Sequence, residues 1–154
     1  KDWPAEKFSQ VCDWLAETYG ATLYLTGIPA HRERGNAILQ EMKHREAVVD
    51  LIGKTSFLEL TALLAHMDLL LTLDTGTAHI GAAAGCPVVT LFTFNSPVIY
   101  RAPGKHCVGV SGHLPCSGKH ICIGPSRCTK SDCVDAVTVP MAEAAIETLF
   151  QETA

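Results

Sequence analysis

Leu69-Leu70-Leu71-Thr72-Leu73-Asp74-Thr75-Gly76-Thr77-Ala78-His79-Ile80-Gly81-Ala82-Ala83-Ala84-Gly85-Cys86-Pro87-Val88-Val89-Thr90-Leu91-Phe92 decides the fold. The leucine run to Leu73 predicts a buried strand, because it is apolar without the alternation of a half-exposed one. Asp74 to Thr77 is a polar turn. A short helix of small residues follows, Gly85 stops it, and Val88 to Phe92 reads as a second buried strand. Strand, helix, strand at this spacing is a βαβ unit with parallel strands.

Outward from this unit the same alternation continues. Upstream, Phe8, Val11, Cys12, Leu15 and Tyr19 fall at helical spacing, so a helix is expected from Pro4 or Ala5 to Tyr19, stopped by Gly20. Ala21 to Ile28 predicts a strand, Ala30 to Lys43 a helix, and Ala47 to Leu51 a short strand. Ser56 and Glu59 form a capping-box pair that opens a third helix, running to about His66. Downstream, Thr93 to Gly104 reads as loop, Cys107 to Val110 as a last strand, and 105–133 as a cysteine-rich loop region. A terminal helix is expected over 139–152, with Ala142, Ala145, Ile146 and Leu149 inward. The result is an α/β chain with a mostly parallel sheet and helices on both faces. Such sheets bind ligands beyond the carboxyl ends of their strands, and Asp74 to Thr77 lies at such an end.

The totals fit one domain. The chain has 154 residues, 47% of them hydrophobic and 18% charged. A formal charge of −4 gives no electrostatic footprint for nucleic acid. The apolar runs are too short to span a bilayer. The first residues, Lys1-Asp2-Trp3-Pro4, suggest a piece of a longer protein. Of seven cysteines, five fall between Cys107 and Cys133. Cys12 and Cys86 lie in apolar elements and are expected as reduced thiols.

The turn carries the chemistry. The helix starting near Thr77 offers unpaired N–H groups and the positive end of its dipole. Thr75, Gly76 and Thr77 would set these around a phosphate, with Gly76 allowing close approach. Asp74 is an acceptor suited to sugar hydroxyls. The residues alone leave a second reading open: Asp74 and Thr75 simply cap the helix. The turn matches neither a Walker loop nor GxGxxG. His31, His44 and His66 read as surface or helix-end residues, and the Asp13 and Glu17 pair as a solvated helix face.

Three segments, Lys1-Asp2-Trp3-Pro4, Asp50-Leu51-Ile52-Gly53-Lys54-Thr55-Ser56 and Asp74-Thr75-Gly76-Thr77-Ala78-His79-Ile80-Gly81-Ala82-Ala83, resemble in order the KxWP, GKTSL-type and D-[ST]-G-x-x-H-[LI]-A-A motifs of glycosyltransferase family 9, the heptosyltransferase family. The resemblance covers nearly the whole chain. It implies the carboxyl-terminal half of a GT-B fold, a Rossmann-like domain that binds the nucleotide-sugar donor over residues 1–154, starting just after that domain's first strand. It implies transfer of a heptose from ADP-heptose to a lipopolysaccharide core or related glycan. Lys1, Thr75, Gly76 and Thr77 would bind the donor diphosphate, and Asp74 the donor sugar. His79 would brace the turn. Glu33 would meet the ribose, and Lys54 and Thr55 would line the base pocket.

The resemblance places the catalytic base and most of the acceptor site in a missing amino-terminal domain. The chain alone is therefore expected to bind donor without transferring sugar, and no catalytic residue is assigned to it. No cofactor is implied, since the nucleotide-sugar is a substrate. The setting implied is cytoplasmic, at the inner face of a bacterial inner membrane by peripheral attachment. Cys116, Cys122, Cys128 and Cys133 are candidates for a structural zinc, although no CxxC pair occurs; disulfides and free thiols are the alternatives. Two other functions stay open: a GT-B transferase or epimerase using a UDP- or GDP-sugar, and a non-catalytic nucleotide- or metal-binding module.

Overall fold

The computed structural model describes residues 2–112, 114 and 132–153. They form two compact units, Pro4–Leu60 and Thr61–Ala154 with Lys1–Trp3.

The Pro4–Leu60 unit opens with helix α1 (Ala5–Tyr19), which Gly20 ends in the left-handed region at φ 61°. Strand β1 (Leu23–Leu25), helix α2 (Arg32–Glu41) and strand β2 (Val48–Asp50) follow. The two strands pair in parallel, with Leu23 beside Val48 and Leu25 beside Asp50. Both strands are shorter than their apolar runs suggest, and a 3₁₀ turn at Pro29–His31 precedes α2. Gly35 lets α2 lie against the sheet: a Cβ there would come 2.1 Å from the Ile52 Cδ1 atom. The expected capping box forms, with Ser56 and Glu59 exchanging bonds of 2.7 and 3.3 Å ahead of helix α3 (Phe57–Leu64).

The buried face of α1 differs from the expectation. Tyr19 is exposed, and Ser9 and Asp13 are buried with Val11 and Leu15. Ser9 donates to the Ile38 carbonyl at 3.1 Å. Asp13 accepts the N–H groups of Lys43 at 3.0 Å and His44 at 2.9 Å, which satisfies backbone donors just beyond the end of α2. Asp13 therefore leaves the solvated face it shares by spacing with Glu17.

His44 itself is exposed to pairing with two acids: Nε2 lies 3.0 Å from Glu17 and Nδ1 3.1 Å from Glu46. Hydrogen bonds to Glu46 and then Glu17 raise its pKa above the ordinary 6.5. A raised imidazole pKa stabilises the fold fully below pH 6.5 and ceases to do so as pH rises through the folded value. An NMR titration of His44 should show the elevated pKa, and Glu46→Gln should move it back toward the ordinary value.

In the Thr61–Ala154 unit, strands β3 (Leu70–Leu73), β4 (Val88–Phe92) and β5 (Cys107–Ser111) form a parallel sheet in that order. Every residue of β4 is buried, as the centre of a parallel sheet requires. Helix α4 (Gly76–Ala83) connects β3 to β4 and packs closely through Gly81, where a Cβ would meet Leu70 at 2.5 Å. Among the described residues β3 pairs with β4 alone. The Leu70 N–H goes to the Pro87 carbonyl, so alternation turns the backbone groups of Leu71 and Leu73 the other way. A four-residue helix α5 (Pro97–Tyr100) occupies the expected loop, and a short helix α6 (Asp132–Asp135) precedes helix α7 (Val139–Thr153). Ala142, Ile146 and Leu149 of α7 are buried as expected. Trp3, fully buried, donates from Nε1 to the Val137 carbonyl at 2.8 Å.

Candidate functional site

Strand β3 delivers Asp74 and Thr75 at its carboxyl end, and α4 begins at once with Gly76. Thr75 is the N-cap residue in extended conformation, φ −142° and ψ 170°, yet no side chain caps the helix. The Thr75 hydroxyl therefore does not cap α4, and the Asp74 carboxylate bonds Asn95. Gly76 is exposed, and a Cβ built on it meets nothing within 4 Å. The first turn of α4 therefore presents its N–H groups outward beside open space, with the Thr75 and Thr77 hydroxyls next to them. This is the arrangement that takes an anion.

Asp74 is half-buried. Its Oδ2 accepts a short hydrogen bond from the Asn95 side-chain amide, three residues past the end of β4. Asn95 is the residue that sequence reasoning missed. The available signal was its place beyond the carboxyl end of the strand next to β3, just before the Ser96-Pro97 helix start.

His79 is exposed, and no hydrogen bond ties it to the turn among the described residues. The side-chain hydrogen bond to the turn comes from Asn95. The reason is helical geometry: Ala78 and Gly81 face the core, and His79 projects between those two positions toward solvent.

Glu33, Lys54 and Thr55 belong to the other unit. Glu33 is exposed in the first turn of α2. Lys54 donates from Nζ to the Asp50 carbonyl at 2.8 Å, so its charge lies back over the end of β2. Thr55 is half-buried just beyond. Arg32, not anticipated, binds both the Asp50 carboxylate and, at 2.6 Å, the Ile52 carbonyl. That guanidinium holds the Asp50 carboxyl below its usual range, helped by the Ile52 N–H. Gly53 follows at φ 72°, a conformation suited to glycine, and donates to the Gly27 carbonyl at 2.7 Å.

Lys1, Cys116, Cys122 and Cys128 lie outside the described residues. Cys133, the fourth candidate zinc ligand, is half-buried in α6. Among the described residues no cluster of three metal-ligating side chains occurs. Cys12 and Cys86 are free thiols, and burial pushes their pKa values up to about 12 and about 11, which makes both poor nucleophiles.

Parallel strands joined by helices, with a polar turn and a helix start at a strand's carboxyl end, define a Rossmann-like chain of the α/β class. A family model, glycosyltransferase family 9 (heptosyltransferase), matches residues 1–122. The chain belongs to that family.

Relatives agree. The lipopolysaccharide core heptosyltransferase OpsX of Haemophilus influenzae is 31% identical over 103 residues, 64% of this chain and 28% of the relative. Lipopolysaccharide heptosyltransferase 3 of Escherichia coli K12 is 35% identical over 104 residues, 66% of this chain and 29% of the relative. A glycosyl transferase family 9 structure from Veillonella parvula superposes with a TM-score of 0.82 at 25% identity, over 99% of this chain and 42% of that one. The E. coli ADP-heptose LPS heptosyltransferase II structure has the same fold, with a TM-score of 0.81 at 22% identity, over 100% of this chain and 44% of that one. The chain thus spans under a third of these curated relatives and under half of these solved structures.

Proposed function

We propose that the chain is the donor-binding part of a glycosyltransferase that moves a heptose from ADP-heptose to a lipopolysaccharide-type acceptor. The observation that carries this is the uncapped, open start of α4 beside an Asp74 held by Asn95, in a chain of this family. Thr75, Gly76 and Thr77 take the diphosphate, with Lys1 adding a cation, and Asp74 accepts from the sugar hydroxyls. In transfer, an acceptor hydroxyl attacks the anomeric carbon and the bond to the diphosphate oxygen breaks. Charge then grows on the departing ADP, where the α4 dipole and N–H groups stabilise it. No metal is needed for that charge.

The base that takes the acceptor proton belongs to another part of the enzyme, so the chain alone binds and does not turn over. No helix among the described residues is long and apolar enough to cross a membrane. With a lipopolysaccharide-type acceptor, the work would fall at the cytoplasmic face of the inner membrane, by peripheral association.

Calorimetric titration with ADP, UDP and GDP tests the reading. ADP should bind best, with no sugar transfer by the chain alone. Absence of binding by all three would return the turn to a bare helix start. Preference for UDP or GDP would reassign the donor.

A further inference from the structure

The bond between Asn95 and Asp74 joins two residues that lie just past the carboxyl ends of neighbouring parallel strands. We propose that Asn95 is a positioning residue that aims Asp74 at the sugar of the donor and leaves the nucleotide's own affinity untouched. The inference rests on the donor-binding reading above.

A carboxylate offers about four lone-pair sites on two oxygens. The Asn95 amide takes one of these on Oδ2, which fixes the rotation of the carboxylate and leaves Oδ1 for hydroxyl donors. The amide is neutral. It orients Asp74 without cancelling its charge, as a lysine or arginine at position 95 would.

The segment that carries Asn95 is itself fixed. Thr93 is buried before it. After it, the Ser96 carbonyl accepts the N–H groups of Ile99 and Tyr100, each at 3.1 Å, which closes α5. Arg101 then donates to the Cys107 carbonyl at 2.6 Å, tying the end of α5 to the start of β5. Pro97 sits over Gly109 of β5: a Cβ there would lie 2.7 Å from the Pro97 Cβ and 3.1 Å from the Phe92 ring. Residues 93–101 thus form a clip on β5 that presents Asn95 in place before any ligand arrives, the preorganisation a binding group requires.

The diphosphate is assigned to the residues after Asp74, on α4. Loss of Asn95 should therefore be felt by the sugar alone. A merely structural asparagine would weaken every ligand together, through the fold.

The test compares ADP with ADP-heptose on the full chain by calorimetry, with melting temperature recorded for each variant. The unchanged chain should bind ADP-heptose more tightly than ADP. Asn95→Ala should lower ADP-heptose affinity about 5- to 30-fold and keep ADP within about twofold. Asn95→Asp should lose at least as much, because it sets a second carboxylate against Asp74. Gly109→Ala, which crowds Pro97 from the far side of the clip, should reproduce a smaller loss with the same selectivity. Equal losses for both ligands, or no loss for either, would overturn the positioning role while the donor reading stands. An unchanged chain that binds ADP but gains nothing from the sugar would overturn it too. An unchanged chain that binds neither ligand would remove the donor reading, and this inference with it.

Discussion

Replacing Trp3 by alanine should lower the unfolding free energy by about 3–5 kcal/mol, the usual cost of deleting a buried aromatic side chain. Trp3 is fully buried, and its indole N–H reaches the Val137 carbonyl at 2.8 Å. The substitution removes the packed ring and the hydrogen bond from its indole N–H to that carbonyl. For a chain of this size the melting temperature should fall by roughly 6–20 °C. Trp3→Phe, which keeps an aromatic ring and loses only the N–H, should cost much less. Urea denaturation followed by circular dichroism checks both. A loss under about 1 kcal/mol for the alanine variant would mean that the indole is not holding residues 2–3 to the segment before α7. Trp3 stands two residues after Lys1, in the unit that also carries Asp74. The same variant should therefore weaken ADP binding if Lys1 meets the diphosphate.

Asp74→Ala should cut affinity for ADP-heptose about 10- to 150-fold, the range for losing hydrogen bonds to a charged group. Asp74→Asn should lose less, because the amide keeps one acceptor oxygen near the same place. Competition binding against ADP separates the sugar's share, which should vanish in the alanine variant while ADP itself still binds. Retention of full ADP-heptose affinity by Asp74→Ala would remove the sugar role from this carboxylate.

Much of the fold is legible because its signals are local. The leucine run of β3, the small residues of α4 and the apolar β4 announce their states by composition and spacing. So do the Gly20 stop and the Ser56–Glu59 box, which depend on residues a few positions apart. The features that escaped reading depend on partners far along the chain. Asp13 shares a helix face by spacing with Glu17, yet its partners are backbone N–H groups at positions 43 and 44. Helix α5 is one turn long and too short to show a period. Asn95 looks like any loop asparagine until β3 and β4 are laid side by side. His79 looked like the brace because it stands in the same motif as the turn; its helical position turns it outward, and the side chain that bonds Asp74 comes from the loop beyond β4.

Among the described residues one side of β3 pairs with no strand, and this bears on how the purified chain behaves. From Leu69 to Leu73 it offers leucines and one threonine, with no lysine, proline or bulge to repel a newcomer. The Leu73 carbonyl there takes the Thr72 hydroxyl at 3.2 Å, which leaves the backbone groups of Leu71 as the template for an added strand. Light scattering over a concentration series should therefore show association between copies, and nucleotide titrations belong at its dilute end.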